Sequence, residues 1–133
     1  MSTKPTPIDE ELAAYVTAHA GGRDEVLLAV ERETAELGSL ANMQTSPEQA
    51  ALLELLARSV GARRAIEIGT FTGYGAIRIA RGLGDDGSLL CCELEQRWAD
   101  VARRNVDRAG VGERVESVML GMADGLTLVR RLG

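Results

Sequence analysis

Hydrophobic residues recur at helical spacing through the first third of the chain. Ile8 and Leu12 mark one face of a first predicted helix, which the glycine pair at 21–22 ends. A second helix is predicted over 24–37. Because no strand pattern interrupts this region, we expect residues 1–45 to form a helical region that covers a site or makes a dimer contact.

A third helix is predicted to begin at Ser46. Gly38 ends the second helix, and residues 39–45 are predicted to form a loop. Ser46, followed by Pro47 and then Gln49, is typical of a capping box with proline in the first helical turn. Large apolar residues recur through this helix and are expected to form its buried face: Leu52, Leu53, Leu55, Leu56 and Val60.

The second half of the chain changes to strands that alternate with helices. Short apolar runs predict buried strands, and the stretches between them have helical spacing. The predicted strands cover 64–68, 88–93 and 114–120, and the predicted helices cover 73–82, 96–109 and 124–132. Such alternation is typical of an α/β fold with a parallel sheet and right-handed crossovers.

The segment from Ala65 to Gly75 carries the strongest functional signal. Its apolar strand contains an acidic residue near the end and opens into glycines, as when a parallel strand delivers a ligand-binding loop at its carboxyl end. Gly69 and Gly73 allow the backbone to turn sharply and to approach a bound molecule. The Glu67 carboxylate stands where a dinucleotide's phosphates would lie, which argues against a phosphate ligand.

A second acidic residue points to the class of ligand. Glu93 ends the second predicted strand, near the position about 20 residues after a glycine loop where an acidic side chain binds ribose hydroxyls. A glycine loop, a ribose-binding acid and no phosphate cradle together indicate an adenosine ligand without phosphates. S-adenosylmethionine fits that description best.

Five pieces of the chain form a pattern more specific than a lone glycine loop, because their order and spacing agree. They are Met43–Gln49, Glu67–Gly75, Ala80-Arg81, Glu93, and Ala109-Gly110-Val111 with Arg114-Val115. Together they resemble the class I O-methyltransferases of the catechol and caffeoyl-CoA type. The resemblance implies a Rossmann-like methyltransferase fold, in which N-terminal helices precede the first three parallel strands of a doubly wound sheet.

The resemblance also implies a role for each candidate site residue. In that family, the residues matching Thr45 and Glu67 hold the amino-acid end of the cofactor, and the match to Glu93 binds the ribose. The glycine loop passes along the cofactor, and a later segment lies beside the adenine. Here the loop supplies Gly69, Thr70, Gly73, Tyr74 and Gly75, and the later segment supplies Ala123 and Asp124.

Several of these assignments have a structural alternative. The Glu67 carboxylate could cap backbone amides of the following turn, and Glu93 could be a solvated strand end. Thr45 could simply precede the helix cap, and Tyr74 could belong to the core. Gly75 replaces the serine that the family usually carries, which removes a hydrogen bond to the cofactor carboxylate worth about 0.5–1.5 kcal/mol.

The family chemistry requires parts that follow the third strand. In the complete family enzyme a divalent metal, usually magnesium, binds two adjacent hydroxyls of a small aromatic acceptor and lowers the pKa of one of them. The family's metal ligands and catalytic base lie beyond residue 133, so no catalytic residue is assigned. Residues 46–133 are therefore expected to form a truncated cofactor-binding domain, which belongs to a homodimer in the complete family enzyme.

Composition and charge exclude several other classes of function. The net charge of −5 disfavours a nucleic-acid or anionic-membrane binder. No apolar stretch approaches the ~20 residues needed to span a bilayer, and the N-terminal residues lack the apolar core of a signal peptide. A cytoplasmic protein is therefore expected. Cys91 and Cys92 are expected to be small buried hydrophobes, and His19 a helix-terminal residue.

Three other hypotheses stay open. A nicotinamide-dependent dehydrogenase would share the strand-loop-helix plan, but it would have Gly-x-Gly-x-x-Gly, whereas this loop has Glu67-x-Gly69-x-x-x-Gly73. The chain could instead be a non-catalytic cofactor-binding or dimerising module, or a fragment without a function of its own. With three strands only, the first strand would be a bare edge, so a marginally stable or self-associating chain is expected.

Overall fold

A computed structural model describes residues 8–119 of the chain. Helices and strands alternate after an N-terminal helical part, as the hydrophobic pattern predicts. The elements are α1 (Glu10–Ala18), α2 (Glu25–Ala35), α3 (Pro47–Ser59), β1 (Arg64–Ile68), α4 (Tyr74–Gly82), β2 (Ser88–Glu93), α5 (Gln96–Arg108) and β3 (Val115–Met119). The helix predicted over 124–132 lies outside the described residues.

The strands form one parallel sheet in the order β1-β2-β3, which confirms the predicted fold class. In the register of β1 and β2, Glu67 lies opposite Cys91 and Ile68 lies opposite Cys92. Because the carboxyl ends of parallel strands lie at the same end of a sheet, Glu67 and Glu93 are brought close to each other there. The loop from β1 to α4 begins at this end of the sheet.

Helix α4 is the centre of the packing. Seven of its nine residues are buried, between the sheet and the other helices. Small residues permit this close packing: a Cβ added to Gly82 would lie 2.5 Å from the carbonyl oxygen of Glu54 in α3. Ile77 of α4 is fully buried, and it belongs to one hydrophobic cluster with core side chains of the sheet and of α2.

The buried face predicted for α3 is wrong in the described part of the chain. The predicted residues are exposed by 39% to 76%: Leu52, Leu53, Leu55, Leu56 and Val60. Ala50 is fully buried instead, and Ala57 packs against the core cluster. Because α3 approaches α4 closely at Gly82, its small residues face the core and its leucines point away.

Helix α2 shares the core of the α/β part. Leu27 and Val30 are fully buried in one cluster with Ile77. In contrast, α1 contains no buried residue. The hydrophobic cluster therefore joins α2 to residues on the other side of the predicted domain division at residue 45. That division, and a covering or dimerising role for residues 1–45, stay predictions.

The segment between α2 and α3 is more regular than the predicted loop. Gly38 adopts a left-handed conformation with φ of 63°, and a 3-10 helix covers Gly38–Met43. The chain then enters the capping box at the start of α3. Ser46 Oγ accepts from the Gln49 backbone amide and Gln49 Oε1 accepts from the Ser46 amide, which confirms the predicted cap.

β1 is an open edge strand of the described sheet, and one of its faces is apolar and exposed. β1 pairs with β2 alone within residues 8–119, and its Ile66 and Ile68 are 65% and 69% exposed. An uncovered apolar edge favours self-association. In the same range, no helix is long and apolar enough to cross a membrane.

Candidate functional site

The loop between β1 and α4 has a strained backbone. Gly69, Phe71 and Gly73 all have left-handed backbone angles, with φ of 83°, 49° and 87°. Glycine adopts this conformation freely, but a residue with a Cβ pays about 1–2 kcal/mol for it. The position of Phe71 therefore requires contacts that hold the loop.

The Glu93 carboxylate supplies those contacts. Its Oε2 accepts the backbone N–H groups of Thr70 at 3.1 Å and Phe71 at 2.8 Å. Its Oε1 accepts those of Leu94 at 2.8 Å and Glu95 at 3.1 Å. The residue is 8% exposed, so the alternative of a solvated strand end is wrong. One carboxylate thus joins the ends of β1 and β2 and fixes the loop.

The Glu67 carboxyl lies on the floor of the loop. Its Oε2 accepts from the Cys91 thiol of the neighbouring strand, at 3.6 Å. A Cβ added to Gly75 would collide with Glu67 Oε1 and would lie 3.4 Å from Thr45 Oγ1. The structure therefore brings Thr45, Glu67 and Gly75 together, and the missing side chain at 75 leaves the space that the carboxyl occupies.

Burial perturbs the charge state of this floor. Burial raises the pKa of Glu67 from 4.5 to about 7, and the negative charge of Glu93 adds to the rise. Burial likewise raises the pKa of the Cys91 thiol to about 12, with a further contribution from the charge of Glu67. The thiol therefore stays protonated and donates, while Glu67 changes its charge near neutral pH.

The raised pKa of Glu67 predicts how stability depends on pH. Between pH 4.5 and 7, Glu67 keeps its proton in the folded protein but loses it in the unfolded chain. The contribution of this carboxyl to the free energy of unfolding is therefore complete below pH 4.5 and is lost as pH rises through 7. We expect the free energy of unfolding to fall by up to about 3 kcal/mol across this window. Urea unfolding at pH 5 and pH 7.5 measures the change.

A Glu67→Gln variant is the control for this prediction. It should show a smaller decline than the unsubstituted protein over the same pH range. Asp24 and Glu33 do not interfere, because hydrogen bonds and arginine partners lower the pKa of each carboxyl below its usual value. Equal pH slopes in both proteins would contradict a raised pKa at Glu67.

A narrow cavity of about 10 Å³ lies between the loop and residues 43–45, which precede α3. This volume holds about one water molecule, so it can enclose the tip of a ligand only. The Oγ1 of Thr70 and the Oε1 of Gln44 are buried there without a hydrogen-bond partner among residues 8–119. The lining comprises Met43, Gln44, Thr45, Gly69, Thr70, Phe71, Thr72, Tyr74 and Gly75.

Tyr74 lines this cavity but turns its hydroxyl elsewhere. The residue is 1% exposed, and its hydroxyl donates to Glu31 Oε1 of α2 at 2.7 Å. Burial raises the pKa of the hydroxyl, and the negative charge of Glu31 adds to the rise, so the hydroxyl keeps its proton. The ring thus occupies the core, which was the alternative to contact with a cofactor.

Other predicted positions have different outcomes. Ala123 and Asp124 lie outside the described residues. Trp98 is a core residue and packs edge-on against Phe71 with ring centroids 4.5 Å apart. Within residues 8–119, no group of three or more His, Cys, Asp or Glu side chains could hold a metal ion.

Sequence reasoning missed the polar residues that hold the middle of the loop. Thr34 of α2 donates to the Thr72 hydroxyl, and Asn105 of α5 donates to the Thr72 carbonyl oxygen. Thr34 and Asn105 are buried on helix faces that are otherwise apolar. That pattern was visible in the sequence, since a polar residue on an apolar stripe must find a buried partner.

Comparison with known proteins identifies the family. A family model described as O-methyltransferase matches residues 17–118, which include the loop, Glu67 and Glu93. The chain belongs to this O-methyltransferase family. The resemblance inferred from the five sequence pieces is thereby confirmed.

Relatives of this O-methyltransferase family member match it in sequence, and solved structures match it in fold over about half of their length. The catechol O-methyltransferase of Mycobacterium tuberculosis is 37% identical over 119 residues, covering 90% of this chain and 53% of the relative. The structure of the O-methyltransferase TomG from Streptomyces achromogenes in complex with SAM is 37% identical. It has a TM-score of 0.73 and a match that covers 80% of this chain and 48% of TomG.

A third comparison agrees. The O-methyltransferase from Bacillus cereus in complex with SAH is 36% identical, with a TM-score of 0.73 over 85% of this chain and 50% of the other. The chain therefore spans about half the length of the relatives it matches.

Proposed function

We propose that this family member binds S-adenosylmethionine at the β1–α4 loop and forms the cofactor half of an O-methyltransferase. The methyl acceptor is a hydroxyl of a small aromatic, catechol-like molecule. The observation that carries the proposal is the position of the Glu67 carboxyl, which is half-buried beside Thr45 and the glycine loop and whose pKa desolvation raises to about 7. A ligand with a cationic end would ionise this carboxyl.

The amino-acid end of the cofactor is proposed to lie over Glu67 and Thr45. The Glu67 carboxylate would accept hydrogen bonds from the ammonium group, and the unpartnered hydroxyl of Thr70 is available to the carboxylate end. A Cβ on Gly69 would meet nothing within 4 Å, so the loop leaves space on that side for the cofactor. These contacts also explain why a phosphate ligand is disfavoured: the floor carries an acid.

The ribose is proposed to bind at Glu93, under a constraint that the sequence did not reveal. Each carboxylate oxygen already accepts two backbone N–H groups. These bonds fill the capacity of a carboxylate, which accepts about four hydrogen bonds in all. Ribose hydroxyls must therefore share or replace some of these bonds. Glu93 would then both hold the loop through its backbone hydrogen bonds and bind the ribose.

These residues contribute binding and orientation to the proposed reaction. Methyl transfer neutralises the sulfonium, so catalysis depends mainly on alignment of the acceptor oxygen with the methyl group and on electrostatics. The described residues do not fit a divalent metal site. The acceptor class, a homodimer and a cytoplasmic location are part of the same proposal, which rests on family membership.

Calorimetric titration with S-adenosylmethionine tests the proposal. If Glu67 must ionise to bind the ammonium group, affinity should rise by roughly five- to tenfold from pH 6 to pH 7.5. Glu67→Gln should weaken binding at pH 7.5 by about tenfold or more, because it removes a charge-assisted hydrogen bond. The amino group of S-adenosylmethionine also titrates. Its effect cancels when the affinity of the unsubstituted protein is divided by that of Glu67→Gln at each pH, so this ratio is the quantity to compare.

NAD serves as the comparator ligand. Binding of S-adenosylmethionine without NAD binding supports the proposal, and binding of NAD alone would overturn it. An affinity ratio that does not change with pH would remove Glu67 from the proposed site.

A further inference from the structure

Helix α2 reaches the middle of the glycine loop through a buried hydrogen bond. Thr34 Oγ1 donates to Thr72 Oγ1 at 3.0 Å, and the two residues are 2% and 3% exposed. Thr72 lies between the left-handed residues Phe71 and Gly73. The bond therefore acts at the point where the loop backbone is most constrained.

A second residue of α2 holds the end of the same loop. Glu31 lies three residues before Thr34, so both side chains project from one face of the helix. Its Oε1 accepts from the Tyr74 hydroxyl at 2.7 Å, and its Oε2 accepts from Arg23 at 2.9 Å. Glu31 thus joins Arg23 and Tyr74 through its two carboxylate oxygens.

The opposite side of Thr72 is held by α5. Asn105 is fully buried, and its Nδ2 donates to the Thr72 carbonyl oxygen at 2.9 Å. Thr72 is thus fixed by its side chain from α2 and by its backbone from α5. Neither helix contributes a lining residue to the narrow cavity described above.

Ion pairs fix α2 in the position that these bonds require. Glu33 accepts from Arg104 at 3.0 Å and from Arg108 at 2.9 Å, both in α5. Asp24 accepts from Arg81 of α4 at 2.7 Å. Exposed pairs of this kind contribute little stability individually, but together they set where α2 lies along α4 and α5.

We propose that Thr34 and Glu31 of α2 are positioning residues for the cofactor loop, acting through Thr72 and Tyr74. Helix α2 then determines the conformation of the loop without lining the cavity itself. The effect on ligand affinity rests on the proposed function. The effect on the loop backbone does not.

Thr34→Val tests the inference with little change in shape. The substitution keeps the branched side chain but removes the hydroxyl donor to Thr72. We expect affinity for S-adenosylmethionine to fall by about five- to tenfold, since a buried polar partner loses its hydrogen bond. Amide hydrogen exchange at Thr72 and Gly73 should become faster, and Thr34→Ser should restore both properties.

A matched core variant separates positioning from general destabilisation. Val30→Ala removes buried volume from the same helix, one turn away, but removes neither of the hydrogen bonds from α2 to Thr72 and Tyr74. It should lower the melting temperature but leave affinity and loop exchange unchanged where the protein is folded. If Thr34→Val behaves like Val30→Ala, the positioning role is wrong.

A double variant tests whether Thr34 acts through Thr72. Thr72→Val should weaken binding by itself, and adding Thr34→Val to it should cause little further loss. Fully additive losses would overturn the inference. If the unsubstituted protein binds no S-adenosylmethionine, the proposed function fails, and loop exchange in Thr34→Val against Val30→Ala decides the positioning role alone.

Discussion

Glu93→Ala is expected to cost at least about 3 kcal/mol of folding free energy, because it leaves four backbone N–H groups without their acceptor. Two of these groups belong to the loop and two to the turn after β2. Phe71 would then lose the bond that holds its left-handed conformation. We expect the loop to relax and cofactor binding to be lost at concentrations that saturate the unsubstituted protein.

Urea unfolding and calorimetric titration measure the two effects of this change. Glu95→Ala is a matched control, because Glu95 is a neighbouring glutamate whose side chain is 48% exposed and pairs with Arg97. Its stability should stay within about 0.5 kcal/mol of the unsubstituted protein. Glu93→Gln should be intermediate, since one amide oxygen can still accept. Equal stability of the two alanine variants would show that Glu93 does not hold the loop.

Gly73→Ala is expected to have the second large effect, through strain and a steric conflict together. Gly73 has φ of 87°, where a Cβ costs about 1–2 kcal/mol. That Cβ would also lie 3.1 Å from the Cα and 3.3 Å from the carbonyl oxygen of Ala102 in α5. Backbone atoms cannot move aside as a flexible side chain can, so we expect a total loss of about 2–4 kcal/mol.

Gly38→Ala isolates the steric part of this prediction. Gly38 also has a positive φ, of 63°, but a Cβ there would meet nothing within 4 Å. Thermal or urea unfolding should show a loss of about 1 kcal/mol for this variant, from backbone strain alone. The difference between the variants measures the contact between the loop and α5. Equal losses would mean that α5 does not limit the loop.

The local elements of the fold could be predicted from the sequence because local chemistry specifies them. The boundaries of β1 and β2 and the capping box at Ser46 follow from apolar runs, glycines and cap residues close together in the chain. The 3-10 helix at Gly38–Met43 was missed, since a short helix of this kind has no apolar period. The order of pieces around the loop also sufficed to recognise the family.

The buried face of α3 shows where the sequence pattern failed. Leucines at helical spacing predicted a buried side, yet Ala50 faces the core and Leu55 is 58% exposed. The spacing identifies an apolar face, but it does not say which neighbour covers that face. The close approach at Gly82 decided the outcome, and it depends on residues from two different helices.

By itself, the sequence determined the α/β class, the position of the glycine loop and the two acids beside it, because each depends on residue types at short and regular spacing. Only the tertiary structure decided what those acids do. Burial raises the pKa of Glu67 against the opposing effect of the hydrogen bond from Cys91, and four backbone amides converge on Glu93. The hold of Thr34 on Thr72 spans 38 positions, and such a contact exists only once the helices have packed.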